Sequence, residues 1–161
     1  MDFTLPPHVE DYRLRYRAFV AEHVLPLEAD PQTFDGHENI RLDLLDTLRA
    51  KAKAAGLWAP QMPADAGGLG LSMTGIAACY EEMNYSLFGP AVFNCAAPDD
   101  GNMRSLYKVA TPEQKKRWLQ PIVDGKVRSS IVMTEPAPGA GSDPTMMLTT
   151  ATNMTSDAAA Y

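Results

Sequence analysis

The sequence predicts a mainly α-helical chain that turns to β-structure only near its end. Apolar residues recur at helical spacing in five segments between residues 8 and 123, and Pro- or Gly-rich stretches separate them. After Asp124-Gly125 the repeat changes to alternation, the period of a strand.

The first segment, His8 to Leu25, carries Val9, Tyr12, Tyr16, Phe19, Val20 and Val24 on one face. Arg13, Arg15 and Arg17 fall on the wetter side, and Pro26 and Pro31 are expected to end the segment. The second begins near Glu38, turns Ile40, Leu44, Leu48, Ala52 and Ala55 inward, and meets Gly56 as its C-cap. A connector rich in Pro and Gly spans residues 59–70. Ser72 caps the third helix, which points Ile76, Cys79, Tyr80, Met83 and Leu87 inward until Gly89-Pro90 breaks it. Asp99 or Asp100 caps a short fourth helix holding Met103, Leu106 and Tyr107. The plainest start signal is Thr111-Pro112-Glu113-Gln114, with Thr111 at the N-cap, Pro112 at the first position and Gln114 closing a capping box. That fifth helix sends Trp118, Leu119 and Ile122 inward. Val127, Ser129, Ile131 and Met133 then alternate with Lys126, Arg128, Ser130 and Val132 as a first strand. A loop from Pro136 to Pro144 leads to a second strand from Met146 to Thr152. Two strands alone make a marginal sheet with exposed edges.

Composition narrows the function classes. A chain of 161 residues with 45% hydrophobic and 21% charged residues can bury a core, which excludes wholesale disorder. Its formal net charge of −6 disfavours nucleic acid and anionic lipid as non-specific partners. Charges or prolines interrupt every apolar stretch, and the N-terminus has no basic region followed by an apolar run, so a cytoplasmic location is expected. Cys79 and Cys95 read as two buried thiols. His8, His23 and His37 lack metal-ligand spacing, and no metal site is expected. Adjacent Glu81 and Glu82 diverge by about 100° on a helix, so they read as a solvated face and not as a paired acid and base. No Gly-x-Gly-x-x-Gly, P-loop or Gly-x-Ser-x-Gly motif is present.

One stretch carries chemistry. Met133-Thr134-Glu135-Pro136 leads into Ala137-Pro138-Gly139-Ala140-Gly141-Ser142-Asp143, a loop with hydroxyls at both ends and small residues at its centre. Freed backbone N–H groups, with the Thr134 and Ser142 hydroxyls, suit the polar atoms of a flat heterocycle or a phosphate. Gly139, Ala140 and Gly141 let a ligand approach the backbone. The same composition also fits a plain surface turn.

This stretch resembles the first signature of acyl-CoA dehydrogenases, whose commoner form is Thr-Glu-Pro-Gly-Ala-Gly-Ser-Asp; here Ala137-Pro138 is an insertion. The connector Pro60-Gln61-Met62-Pro63-Ala64-Asp65-Ala66-Gly67-Gly68-Leu69-Gly70 is similar to the family's proline-to-Gly-Gly-x-Gly segment. Thr111-Pro112-Glu113-Gln114-Lys115 with Trp118-Leu119-Gln120-Pro121 resembles one of its helices. The resemblance covers roughly residues 5 to 152. It implies an N-terminal helical domain over 1–124 and the incomplete start of a β-domain over 125–161, with the C-terminal helical domain absent.

The resemblance further implies FAD as cofactor and an acyl-CoA as substrate, oxidised at its α,β bond. Met133 and Thr134 would meet the flavin ring, Gly139, Ala140 and Gly141 would line it, and Ser142 would lie by the flavin and the thioester. Glu135 is rejected as the base, because the family places its base on the C-terminal domain and gives this Glu a loop-holding role. No catalytic residue is therefore assigned, and the chain alone is expected to be inactive, with a homo-oligomer or a complementing C-terminal chain as possible partners. The alternatives are a non-catalytic helical module binding an acyl chain or a partner, and a flavin oxidase or monooxygenase on the same fold.

Overall fold

A computed structural model describes residues 4–37 and 39–150. The chain divides into two compact units, Met1–Ser129 and Ser130–Tyr161. The first unit is helical. Helix α1 (Pro7–Phe19) continues through a π-helical turn (Val20–Val24) into α2 (Leu25–Glu28). Then come α3 (Leu42–Ala54), α4 (Met73–Met83), α5 (Gly89–Val92) and α6 (Asp99–Val109). The last helical stretch is α7 (Pro112–Gln114), a second π-helical turn (Lys115–Leu119) and α8 (Gln120–Val123).

Most caps stand where the sequence puts them. Ser72 accepts a bond from the Gly75 N–H, and Thr111 and Gln114 form the reciprocal capping box. Gly56 follows α3 with φ +66°, the left-handed conformation that ends helices. Asp99 and Asp100 are not caps. Pro98 stands at that position, and Asp99 is buried, its carboxylate accepting from Ser129 N (2.6 Å), Ser129 Oγ (2.7 Å) and Arg128 Nε (2.7 Å). The second helix begins at Leu42; the expected start near Glu38 lies outside the described residues.

Prolines 26 and 121 do not end their helical segments. Each is the second residue of a short helix that directly follows a π-helical turn, where Leu25 N–H bonds Val20 O and Gln120 N–H bonds Lys115 O. Proline lacks an N–H and its ring collides with the carbonyl four residues back. A widened turn moves that carbonyl aside, and the proline then sits in a first helical turn that needs no N–H.

The core joins Tyr16, Phe19 and Phe93 edge-to-face, with ring centroids 4.7 Å apart for Tyr16–Phe93 and 5.2 Å for Phe19–Phe93. The connector from Leu57 to Met62 runs through this core without helix or strand. Its close turn needs Gly68, because a Cβ there would stand 2.1 Å from Met62 O and 2.5 Å from Ala59 O. Not every apolar residue turns inward: Leu87 lies beyond α4 and is 85% exposed, and Trp118 is 42% exposed.

Two sequence expectations fail for physical reasons. Glu82 is not part of a solvated face. It is buried on α4 and accepts from Arg17 Nε (2.8 Å), Arg17 Nη2 (2.7 Å) and Arg13 of α1, while Arg13 also grips Glu10 at 2.6 and 2.8 Å. α1 packs along α4, so the polar side of one helix closes over the polar side of the other. The strand expected over 126–133 also does not form, and neither does the described part of the one over 146–152. A strand exists only where its N–H and C=O groups meet a neighbour. Pairing among the described residues of this region is the single bridge Glu135–Gly141.

Burial pushes the Glu82 carboxyl up, but the Arg17 and Arg13 guanidinium groups outweigh it and hold it below its ordinary value of 4.5. A lowered pKa stabilises the fold fully above that value, and the stabilisation is lost as pH falls through the lower native one. Glu82→Gln is expected to cost about 3 kcal/mol at neutral pH and to flatten the acid limb of stability. Urea unfolding of both proteins between pH 3 and 7 checks this; parallel pH profiles would rule it out.

Candidate functional site

The signature folds on itself in the second unit. Glu135 and Gly141 exchange both backbone hydrogen bonds, each at 3.1 Å, and Gly139 N–H closes the turn on Pro136 O at 2.8 Å. The antiparallel register sets Thr134 opposite Ser142. The inserted Ala137-Pro138 pair lies exposed at the tip, so the extra length is absorbed without disturbing the bridge.

Glycine is required at two places. Gly141 has φ +59° with open space around it, so conformation alone demands glycine there. A Cβ on Gly139 would meet Glu135 Oε2 at 2.6 Å and Pro136 O at 2.9 Å.

Glu135 ties the loop together. Its carboxylate accepts from Ala140 N (3.1 Å), Leu148 N (2.9 Å), Thr149 N (2.7 Å) and the Thr149 hydroxyl. These bonds, led by the Leu148 N–H and the Thr149 hydroxyl, hold the carboxyl down to about 2. A carboxylate so fully occupied and so weakly basic is unsuited to taking a proton from carbon. Asp143 turns inward on Thr145, accepting from its N–H at 2.9 Å and its hydroxyl at 2.7 Å.

Of the residues singled out from sequence, Met133, Thr134 and Ser142 are exposed, while Gly139, Ala140 and Gly141 are half-buried. Among the described residues the Thr134 and Ser142 hydroxyls have no hydrogen-bond partner. The bridge thus brings two unspent hydroxyls together above a turn that lacks side chains at 139 and 141. Thr149, which fastens Glu135 from outside the signature, had no local sequence signal, because its role depends on the chain folding back over thirteen residues. The two thiols are inert: Cys79 and Cys95 are both buried, and burial pushes Cys79 up to about 11. Among the described residues no cluster of three or more His, Cys, Asp or Glu is placed for a metal, and no helix is long and apolar enough to cross a membrane.

A helical unit followed by this loop defines a class, the N-terminal portion of flavin-linked dehydrogenases. The acyl-CoA dehydrogenase N-terminal domain matches residues 6–126, and the chain belongs to the acyl-CoA dehydrogenase family. It is 37% identical to "Probable acyl-CoA dehydrogenase FadE2" of Mycobacterium tuberculosis, over 85% of this chain and 34% of that protein. It is 37% identical to human "Acyl-CoA dehydrogenase family member 11", over 79% of this chain and 17% of that protein. A solved structure, of a "putative acyl-CoA dehydrogenase from Mycobacterium abscessus", superposes with a TM-score of 0.74 at 38% identity, covering 89% of this chain and 38% of the other. The chain therefore spans about a third or less of the curated relatives it matches.

Gly139→Ala is expected to open the Glu135–Gly141 bridge and expose the Ala140 and Leu148 amides. Because Glu135 titrates near 2, acid should release the same amides only as pH falls from about 4.5 toward 2. Amide exchange read by NMR at pH 6 and at pH 2.5 tests both, with wild-type protection in the variant counting against the clash.

Proposed function

We propose that this chain supplies the helical N-terminal domain and the flavin-facing loop of an FAD-dependent acyl-CoA dehydrogenase, acting in fatty acid metabolism in the cytoplasm. Residues 1–124 are assigned to the helical domain and 125–161 to the start of the β-domain. The observation that carries the reading is the Glu135–Gly141 bridge, which sets the free Thr134 and Ser142 hydroxyls opposite each other. Hydroxyls so placed, beside a turn open at Gly139 and Gly141, fit the edge of a flat heterocycle.

In this reading Met133 and Thr134 hold the flavin ring, Gly139, Ala140 and Gly141 let it approach, and Ser142 lies between flavin and thioester. FAD, when bound, supplies the hydride acceptor for oxidation of the α,β bond of an acyl-CoA. The chain's own part is to orient: Glu135 keeps the loop closed, and the two hydroxyls donate to ligand atoms. The α-proton must leave to a carboxylate other than Glu135, brought by another segment or another copy. The 161-residue chain by itself is therefore inactive.

A second reading, a helical module that binds an acyl chain, rests on a groove of about 460 Å³ beside α3. Phe34, Ile40, Leu45 and Phe88 line it, and Leu42 and Leu87 stand exposed at its rim. A purified protein that is yellow and carries flavin supports the first reading; a colourless one that captures an acyl chain supports the second.

Thr134→Ala in a form completed by the C-terminal part is expected to weaken FAD binding by about 1–3 kcal/mol, the value of one hydroxyl bond to a buried heteroatom. Flavin fluorescence titration measures it. For the 161-residue chain, an acyl-CoA panel with excess FAD and an artificial electron acceptor should give no turnover. Turnover abolished by Glu135→Gln would overturn the assignment.

A further inference from the structure

Charge is unevenly spread along this acidic chain. Residues 101–128 hold seven of the fourteen Lys and Arg but only two acids, Glu113 and Asp124, within a chain of formal net charge −6. Elsewhere the arginines are matched: Arg13 and Arg17 by Glu82, Arg15 by Asp11, Arg41 by Asp43 and Arg128 by Asp99. Lys126 has Asp124 at 2.8 Å. Arg104, Lys108, Lys115, Lys116 and Arg117 differ, because among the described residues none of them has a carboxylate within 4.0 Å. All five lie on α6 and on the π-helical turn that packs against it.

A concave site lies within this region, a cavity of about 310 Å³ lined by Lys115, Lys116, Tyr107, Asp65 and Gln120. The Lys115 ammonium rests 4.8 Å from the centre of the Tyr107 ring, which positions it without neutralising it. Asp65 is the one acid in the lining, and it accepts the Tyr107 hydroxyl at 2.9 and 3.1 Å. The Gln120 amide is committed to Asp124 Oδ1 at 2.8 Å. The wall that carries both lysines is the π-helical turn Lys115–Leu119, a form found preferentially at functional sites. Two ammonium groups against one carboxylate leave the cleft net positive, with Arg104, Lys108 and Arg117 adding to the field from the same two elements.

The geometry points to a binding site for the diphosphate group of a small ligand, with Lys115 and Lys116 as its direct contacts. Ammonium groups on flexible stems are point-charge donors suited to phosphate oxygens. The cations converge on a cleft of a few hundred cubic ångströms and do not run as a stripe, and the rest of the chain is acidic, so a small anion suits the site better than nucleic acid or a lipid surface. A free inorganic diphosphate and the diphosphate of coenzyme A present the same chemistry.

The test is calorimetric titration of the 161-residue chain with pyrophosphate and with coenzyme A at low salt, repeated with the Lys115→Gln/Lys116→Gln double variant. Pyrophosphate binding that falls about tenfold or more in the variant supports the site, the charge-assisted bonds of two lysines being worth at least that. Circular dichroism of the variant should stay unchanged, since both ammonium groups project into solvent-accessible space. Coenzyme A displacing pyrophosphate identifies coenzyme A as the source, whereas retention of pyrophosphate identifies a separate phosphate ligand. No binding of pyrophosphate, or equal binding by the variant, overturns the proposal. So does binding to phosphatidylserine vesicles that pyrophosphate cannot displace. None of these outcomes depends on flavin binding or turnover, so the dehydrogenase reading stands or falls separately.

Discussion

The helical unit depends on satisfying a buried stretch of irregular backbone, Leu57 to Met62. All six residues are buried, yet they form neither helix nor strand, so each polar backbone group must find a partner from elsewhere. Tyr16 donates its hydroxyl to Leu57 O at 2.6 Å, and Ala59 N–H donates to Phe93 O at 3.1 Å. Gln61 donates its amide to Asn94 O at 2.7 Å. The same stretch then caps a distant helix: Trp58 donates Nε1 to Val123 O at 2.8 Å, joined by Asn94 Nδ2 to Ile122 O and Val123 O at 3.0 and 3.1 Å. Lys53 reaches Asp124 O at 2.7 Å. The carbonyls that α8 leaves unbonded are thereby met by side chains from three other segments.

Acidic side chains carry much of the remaining cohesion, each as an acceptor for groups that the backbone alone leaves unpaired. Glu82 binds α1 to α4, and Glu28 pins the turn after α4 by accepting Ser86 Oγ at 2.6 Å and Leu87 N at 2.8 Å. Asp99 holds the exit of the helical unit at Arg128 and Ser129, and Glu135 gathers the loop that follows. A buried carboxylate is costly unless every oxygen is occupied, and these are occupied. Their low affinity for protons makes them fasteners, which separates them from the poised carboxyl that proton abstraction from carbon demands.

Much of this protein was legible in its sequence, because local chemistry decides it. Helix periodicity placed Val9, Tyr16, Phe19, Val20, Val24, Leu48, Ala52, Cys79, Met83, Met103 and Leu119 in the core, and capping chemistry at Ser72 and Thr111 marked helix starts. The glycines of the signature and of the connector announced backbone that tolerates no Cβ. Tertiary structure decided what depends on distant neighbours. Glu82 reads as a surface residue until two arginines from α1 cover it, and Asp99 reads as a cap until Ser129 returns to it. Pro26 and Pro121 read as terminators until a widened turn makes room for them. The alternating stretch from Lys126 to Met133 has the period of a strand, but a strand is a relation between two segments, and period alone supplies only one of them.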